Sequence, residues 1–244
     1  MARYQIILAY DGTYFCGFQR QTDERTIQGN FEAALRRIGW QGDAIIAAGR
    51  TDSGVHAQGQ VLTFDLDWVH GSDSLRSALN ANLPPDVAVR SVQVAKDDFH
   101  PRFDAIERCY RYRLYCQPIR DPLRDRYAWQ VWPPVDLSRL KTAAHHLLGE
   151  HDFAAFGTPM KKGGSTKRKV SRADWSVEGD EFYFEIGANA FLYHMVRRLV
   201  SYQVEIGQGK YDPALILDVL TRGLDEMVQG LAPPNGLFLT CVKF

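Results

Sequence analysis

An α+β fold in two similar halves is what this sequence predicts, on three observations. Short runs such as Tyr4 to Tyr10 and Val61 to Asp67 alternate apolar and polar residues, the period of a strand with one buried face. Between such runs lie segments whose apolar residues recur at helical spacing behind a capping side chain. The order strand, helix, strand, strand, helix, strand runs from Tyr4 to Val94 and starts again after Phe99.

The first strand, Tyr4 to Tyr10, stops at the turn pair Asp11-Gly12. Thr26 caps a helix with Ile27, Phe31, Ala34, Leu35 and Ile38 on one face, and Gly39 closes it. Asp43 to Ala48 reads as a short buried strand ending at Gly49, and Val61 to Asp67 as a strand with Leu62, Phe64 and Leu66 facing one way. Ser72 caps a helix carrying Leu75, Ala78 and Leu79 that Pro84-Pro85 stops, and Val87 to Val94 is the next strand.

In the second half, Ile106 to Cys116 is a strand with Arg108, Tyr110, Tyr112 and Leu114 on one face and Cys109, Arg111, Arg113 and Tyr115 on the other. Tyr127 to Trp132 adds a short strand. Asp136 caps a helix with Leu137, Leu140, Ala144, Leu147 and Leu148, ended by Gly149. Val170 to Val177 and Glu181 to Ile186 flank Gly179-Asp180 as a hairpin. Asn189 caps a helix with Leu192, Met195, Val196, Leu199 and Ile206 inward, Asp212-Pro213 opens another, and Leu237 to Val242 is the last strand.

Each half thus has the βαββαβ order of a ferredoxin-like unit, with no letter-level repeat between them. Two such units side by side predict an extended mixed sheet with helices on one face and a cleft where the units meet. The division falls near residue 104, giving halves 1–104 and 105–244, the second with insertions.

Of the 244 residues, 45% are hydrophobic and 24% charged, as in an ordinary soluble globular protein. Lys plus Arg equals Asp plus Glu at 29 each, so a nucleic-acid partner draws support only from local segregation of charge. The cysteines, Cys16, Cys109, Cys116 and Cys241, form no CxxC pair, which favours reduced thiols over a disulfide or zinc framework. His145 and His146 are adjacent on a helix and point about 100° apart, while His56, His100, His151 and His194 are isolated, so no metal is expected. The apolar segment Phe191 to Ile206 is broken by Arg197 and Arg198 and does not span a membrane. The first residues lead into a strand pattern without a signal-peptide pattern, and a cytoplasmic location is expected.

The densest chemistry lies in GRTDSGVHAQGQ, Gly49 to Gln60, at the end of a predicted strand. Gly49 and Gly54 let the backbone turn tightly, presenting Arg50 and Asp52 together. Asp52 in an Asx turn, bonded to the amide of Ser53 or Gly54, is the plain reading. A phosphate loop fails because Val55-His56 stand where its lysine belongs. An aspartic protease needs two carboxylates sharing a proton, and only a symmetric dimer could supply the second Asp-Ser-Gly. A single carboxylate kept ionised by a neighbouring arginine, used as nucleophile or base, is the third reading.

Other positions carry two readings each. Tyr110 is a core or interface tyrosine on a strand rich in arginine and tyrosine. Arg197 reads as a surface arginine with its stem laid along apolar neighbours, and Leu237 as a core strand residue. Lys161, Lys162, Lys167, Arg168, Lys169 and Arg172 sit among Gly, Ser and Thr with no acidic residue from Phe153 to Ala173. That segment is a solvated flexible loop or an arm contacting phosphates.

GRTDSGVHAQGQ closely resembles the catalytic motif of the tRNA pseudouridine synthase A family. YDGTYFCGFQRQ (Tyr10 to Gln21), FHPRFDAIERCYRYR (Phe99 to Arg113), HDFAAF (His151 to Phe156), FLYHMVRRLV (Phe191 to Val200) and APPNGLFLTCV (Ala232 to Val242) resemble that family too, in its order, over essentially the whole chain. Phe18 stands where Trp is common and Pro101 where Ala is common.

The resemblance implies the pseudouridine synthase fold, two ferredoxin-like halves around a central catalytic cleft. It implies a cofactor-free isomerase converting uridine to pseudouridine at positions 38, 39 and 40 in the anticodon stem-loop of tRNA. Asp52 would be the nucleophile, Arg197 its ion-pair partner, Tyr110 a stacking partner of the uracil and candidate proton relay, and Leu237 the wall at the other face. Arg50, with the arm residues Lys161, Lys162, Lys167, Arg168 and Lys169, would contact tRNA, and the resemblance implies a homodimer. A non-catalytic RNA-binding protein is the alternative suggested by the ferredoxin-like units, although the sheet signature K/R-G-F/Y-G/A-F-V-x-F/Y is absent. The dimeric aspartic protease stands third.

Overall fold

The computed structural model describes residues 1–222 and 228–244 and divides into two compact units, Met1–Ile106 with Phe238–Phe244, and Glu107–Leu237. The sequence pattern sets the division near residue 104 and leaves the last strand in the second half. Here that strand packs with the first unit, because it pairs with the strand that begins at His56.

The first unit holds β1 (Ala2–Tyr10), α1 (Ile27–Arg37), β2 (Ile46–Ala47), β3 (His56–Leu66), α2 (Ser72–Asn82), β4 (Val87–Val94) and, from the C-terminus, β10 (Leu237–Lys243). Its sheet runs β4-β1-β3 with antiparallel pairing, and β3 has two further neighbours along its outer edge. β2 pairs antiparallel at Leu62 and Thr63, and β10 pairs parallel at His56 and Ala57. The order β4-β1-β3-β2 is that of a ferredoxin-like unit.

β1 alternates as its sequence predicts: Tyr4, Ile6, Leu8 and Tyr10 are buried and the residues between are half-buried. α1 lies over the buried face, with the Phe31 and Phe64 rings 5.9 Å apart. Thr26 caps α1 by accepting the Gly29 N–H at 3.3 Å, and Gly39 closes it at φ +98°.

Two expectations in this unit are corrected. The buried strand Asp43 to Ala48 shrinks to Ile46–Ala47, with Ile46 exposed, because the Ile45 N–H turns to the carboxylate of Glu32 at 3.3 Å. Ser72 does not cap α2; Gly71 does, and no side chain bonds that end.

The second unit holds β5 (Glu107–Cys116), β6 (Trp129–Val131), α3 (Leu137–His145), β7 (Gly149–Asp152), β8 (Lys167–Glu178), β9 (Glu181–Ala188), α4 (Met195–Gly207) and α5 (Leu215–Arg222). Its sheet runs β5-β9-β8-β7 with antiparallel pairing between β5, β9, β8 and β7, and β6 lies parallel to β5. Trp175 and Phe184 stack at 5.0 Å in its core, and the indole N–H donates to Gln203 Oε1 on α4 at 2.9 Å. A Cβ on Gly207 would meet Leu140 and Val135 at 3.0 and 2.9 Å, so a small residue lets α4 close on this end of α3.

Here too the sequence reading is corrected. α3 ends at His145, because Gly149, at φ +102°, starts β7 rather than closing a helix. β7 itself has no counterpart among the predicted strands. Asn189 caps no helix: its Oδ1 accepts from Lys169 N at 3.0 Å and Ala190 N at 2.9 Å. α4 begins only at Met195, since Tyr193 bridges to Thr158, its N–H donating to the Thr158 carbonyl at 2.9 Å, and His194 turns the chain at φ +65°.

The pairing of β10 with β3 depends on Gly59, where a Cβ would stand 2.4 Å from the Thr240 carbonyl oxygen. Gly59→Ala is therefore expected to cost about 2 kcal/mol of stability, lowering the melting temperature by roughly 4–8 °C in a thermal unfolding scan. An unchanged melting temperature would show that β10 accommodates the methyl group.

Candidate active site

The Gly49 to Gln60 loop of the first unit leaves β2 and enters β3, and its backbone is fastened to the segment that follows β1. Phe18 N–H donates to the Thr51 carbonyl at 3.0 Å, and the Phe15 carbonyl accepts from Gly54 N–H at 3.3 Å and from Ser53 Oγ at 3.1 Å. The loop closes on itself with Val55 N–H to the Asp52 carbonyl at 3.2 Å. Gly54 sits at φ +76°, as a turn at that position requires.

Gly49 does not share that role. Its φ lies outside the left-handed region and a Cβ there meets nothing within 4 Å. What holds it is its carbonyl, which accepts from Gln60 Nε2 at 3.1 Å. Opposite the loop, Gly17 at φ +85° brings its Cα so close that a Cβ would stand 3.1 Å from the Thr51 carbonyl oxygen.

The loop thus presents Arg50, exposed, and Asp52, half-buried, on a backbone pinned from both sides. Of the two amides that an Asx turn at Asp52 could use, that of Gly54 donates to the Phe15 carbonyl.

The second unit contains Tyr110, Arg197 and Leu237. Tyr110 is half-buried at the centre of β5, opposite Ile186 of β9, with its ring edge-on to Phe191 at 5.1 Å and 87°. Arg197 lies in the first turn of α4, half-buried, and its Nε donates to the Ala232 carbonyl at 2.7 Å while Ala232 N–H returns to the Arg197 carbonyl at 3.2 Å. This double tie fixes the base of the guanidinium. The arginine's stem is therefore held in place beside its apolar neighbours.

Tyr112, on the same face of β5 as Tyr110, is buried, donates its hydroxyl to the Pro233 carbonyl at 2.8 Å, and feels the charge of Arg197. Burial pushes its phenol well above the ordinary tyrosine range, with Arg197 pulling it back. Leu237 is buried and follows a 3-10 turn, Pro234–Gly236. A Cβ on Gly236 would clash with the Arg113 carbonyl at 2.6 Å and with the Tyr112 ring at 2.7 Å.

The basic segment is partly a strand. Lys161 and Lys162 are exposed in a turn, whereas Lys167, Arg168 and Lys169 begin β8 and pair with Asp152, His151 and Glu150 of β7. Lys167 and Lys169 remain exposed. Arg168 folds back, its Nη1 donating to the Ser165 and Lys167 carbonyls at 2.8 and 2.6 Å. Burial draws the Arg168 guanidinium below its usual range, and Asp152 opposes the shift.

Sequence reasoning passes over Phe191, which braces Tyr110, and Tyr112, which feels Arg197. Both stand inside stretches singled out for other residues, and only the pairing of β5 with β9 and the docking of the 189–194 segment bring them forward. Among the described residues, no group of three or more His, Cys, Asp or Glu could hold a metal ion, and no helix is long and apolar enough to cross a membrane.

A family model described as tRNA pseudouridine synthase matches residues 6–104 and 143–244. The chain is 41% identical over 237 residues to the tRNA pseudouridine synthase A of Brevibacillus brevis, with 97% of each chain covered. Identity to the protein of that name from Pseudothermotoga lettingae is 41% over 248 residues, covering 100% of both. For that of Geobacillus kaustophilus it is 41% over 245 residues, covering 99% of this chain and 94% of the relative.

Proposed function

The chain belongs to the tRNA pseudouridine synthase A family, and from that premise we propose that Asp52 is the nucleophile with which it isomerises uridine to pseudouridine in tRNA. One observation carries the assignment: Asp52 is the carboxylate of a loop whose backbone is fixed from both sides. A group so held keeps its aim when substrate arrives. Membership in an enzyme family sets aside the non-catalytic RNA-binding reading and the aspartic protease.

The reaction breaks the N1–C1′ bond, turns the uracil, and joins C5 to C1′; C5 loses a proton and N1 ends with one. Atoms and electrons balance without an oxidant, a reductant or a cofactor. A base stacked in a stem is out of reach at both C1′ and C5, so the target nucleotide must be drawn out of the stack.

In this reading Arg197 is the cation that keeps Asp52 charged once water is excluded, a need that any nucleophilic carboxylate meets in a closed pocket. Tyr110, braced by Phe191, stacks on one face of the uracil and is the candidate relay for the C5 proton, with Leu237 at the other face. Arg50 contacts the RNA backbone beside the target. The uridines acted on are those at positions 38, 39 and 40 of the anticodon stem-loop, the enzyme works in the cytoplasm, and two copies form a homodimer on which one tRNA rests. Lys161, Lys162, Lys167, Arg168 and Lys169 meet its phosphates. The support here is the exposure of four of these five cations together with a formal net charge of zero, which leaves a polyanion to be held by local clusters.

Three variants and a light-scattering measurement check these assignments. Asp52→Asn is expected to bind unmodified tRNA as the parent does and to form no pseudouridine by chemical mapping; turnover in that variant removes Asp52 from the mechanism. Arg197→Ala is expected to lower the rate by about 100-fold while tRNA affinity changes little, and an affinity loss of the same size would make the residue a tRNA anchor instead. Changing the five arm cations to Ser should reduce the slope of log affinity against log salt by roughly 0.7–0.9 for each phosphate that is no longer neutralised. An unaltered slope, or a monomer by light scattering at micromolar concentration, overturns the arm and the dimer respectively.

A further inference from the structure

Two polar side chains at the end of the motif loop, His56 and Gln60, are 1% and 0% exposed, and Tyr10 at the end of β1 is 4% exposed. None has a part in the chemistry assigned above. A buried polar group costs stability unless it is bonded, so the partners of these three say what they hold.

The Tyr10 hydroxyl lies 2.8 Å from Thr51 Oγ1, next to Asp52, and also bonds Gln60. Gln60 in turn holds the Gly49 carbonyl. Burial pushes the Tyr10 phenol up to about 12, so the hydroxyl stays neutral.

On the other side of Asp52, the Gly12 N–H donates to Nδ1 of His56 at 3.0 Å. Asp11 Oδ1 stands 3.1 Å from the same nitrogen and accepts the Thr13 N–H at 3.0 Å. The imidazole stacks on Phe238 at 4.7 Å and 22°, which sets its plane. A Cβ on Gly12 would lie 2.0 Å from the Val55 carbonyl oxygen, so this end of the loop touches the first turn directly.

We propose that Tyr10 and His56 are positioning residues for Asp52, acting through the backbone on its two sides: Tyr10 fixes residue 51, and His56 locks the 55–56 end of the loop to Gly12. The inference rests on the reading of Asp52 as nucleophile. Small displacements of a reacting group cost rate steeply, so loosening either fastening lowers the chemical step rather than tRNA binding.

The experiment measures single-turnover pseudouridine formation, tRNA affinity and melting temperature for Tyr10→Phe, His56→Leu, His56→Asn and Asp52→Asn on the full chain. The Asn side-chain amide carries an acceptor and a donor with which to meet the Gly12 N–H or Asp11 Oδ1, although it cannot stack on Phe238 in the same way. The expected result is a rate loss of roughly 10-fold or more in Tyr10→Phe and His56→Leu, tRNA affinity within about twofold, and recovery of most of the rate in His56→Asn. Equal rate losses in His56→Leu and His56→Asn, or loss of affinity with an unchanged rate, overturn the role of His56. A parental rate in Tyr10→Phe overturns that of Tyr10, and this variant decides the matter should His56→Leu not fold. Asp52→Asn keeps the two readings apart: an active Asp52→Asn removes the nucleophile assignment itself, whereas an inactive one beside fully active Tyr10→Phe and His56→Leu removes the positioning proposal alone.

Discussion

Backbone polar groups buried in a loop must find partners outside any ladder, and that constraint shapes the environment of Asp52. The loop from Gly49 to Val55 belongs to no strand, yet Thr51 and Val55 are buried. Its carbonyls and N–H groups are met by Phe15, Phe18 and Gln60. The segment after β1 is therefore the mould of the loop. Its glycines follow from this: at residues 12 and 17 a Cβ would press on the loop backbone. A half-buried carboxylate on such a support needs little reorganisation when a substrate arrives, which is the physical content of preorganisation.

The same economy governs the approach to the loop. Glu32 on α1 is wholly buried, and it is tolerated because Arg20, Arg36, Gln28 and the Ile45 N–H surround its carboxylate. Removing the Ile45 N–H from the sheet shortens β2, yet it fixes where the chain enters the loop. Helix and loop are thus joined by a charge that neither could bury alone.

In the second unit the organising feature is Arg197 of α4. Its Nε and its own carbonyl both bond Ala232, so the 232–237 segment leading to Leu237 is tied to the helix that carries Arg197. Tyr112 completes the arrangement by bonding the Pro233 carbonyl and packing under Gly236. An arginine held at its base in this way can direct its terminal nitrogens without losing much side-chain entropy.

Period and capping made most of the framework legible: β1, α1, the β8–β9 hairpin and the βαββαβ order of the first unit follow from alternation, Thr26 and the Gly179-Asp180 turn, all local signals. The Asp52 motif was legible because its residue types leave few chemistries open. The late start of α4, the shortness of β2 and the existence of β7 were not legible, since Thr158, Glu32 and β8, which decide them, lie far away in the chain. The sequence by itself determined which side chains are available and the fold class that carries them. Only the tertiary structure decided that Tyr10, Gln60 and His56 brace the loop, that Arg197 is anchored, and that β10 packs with the first unit, because each rests on a hydrogen bond or close approach between residues that no periodicity connects.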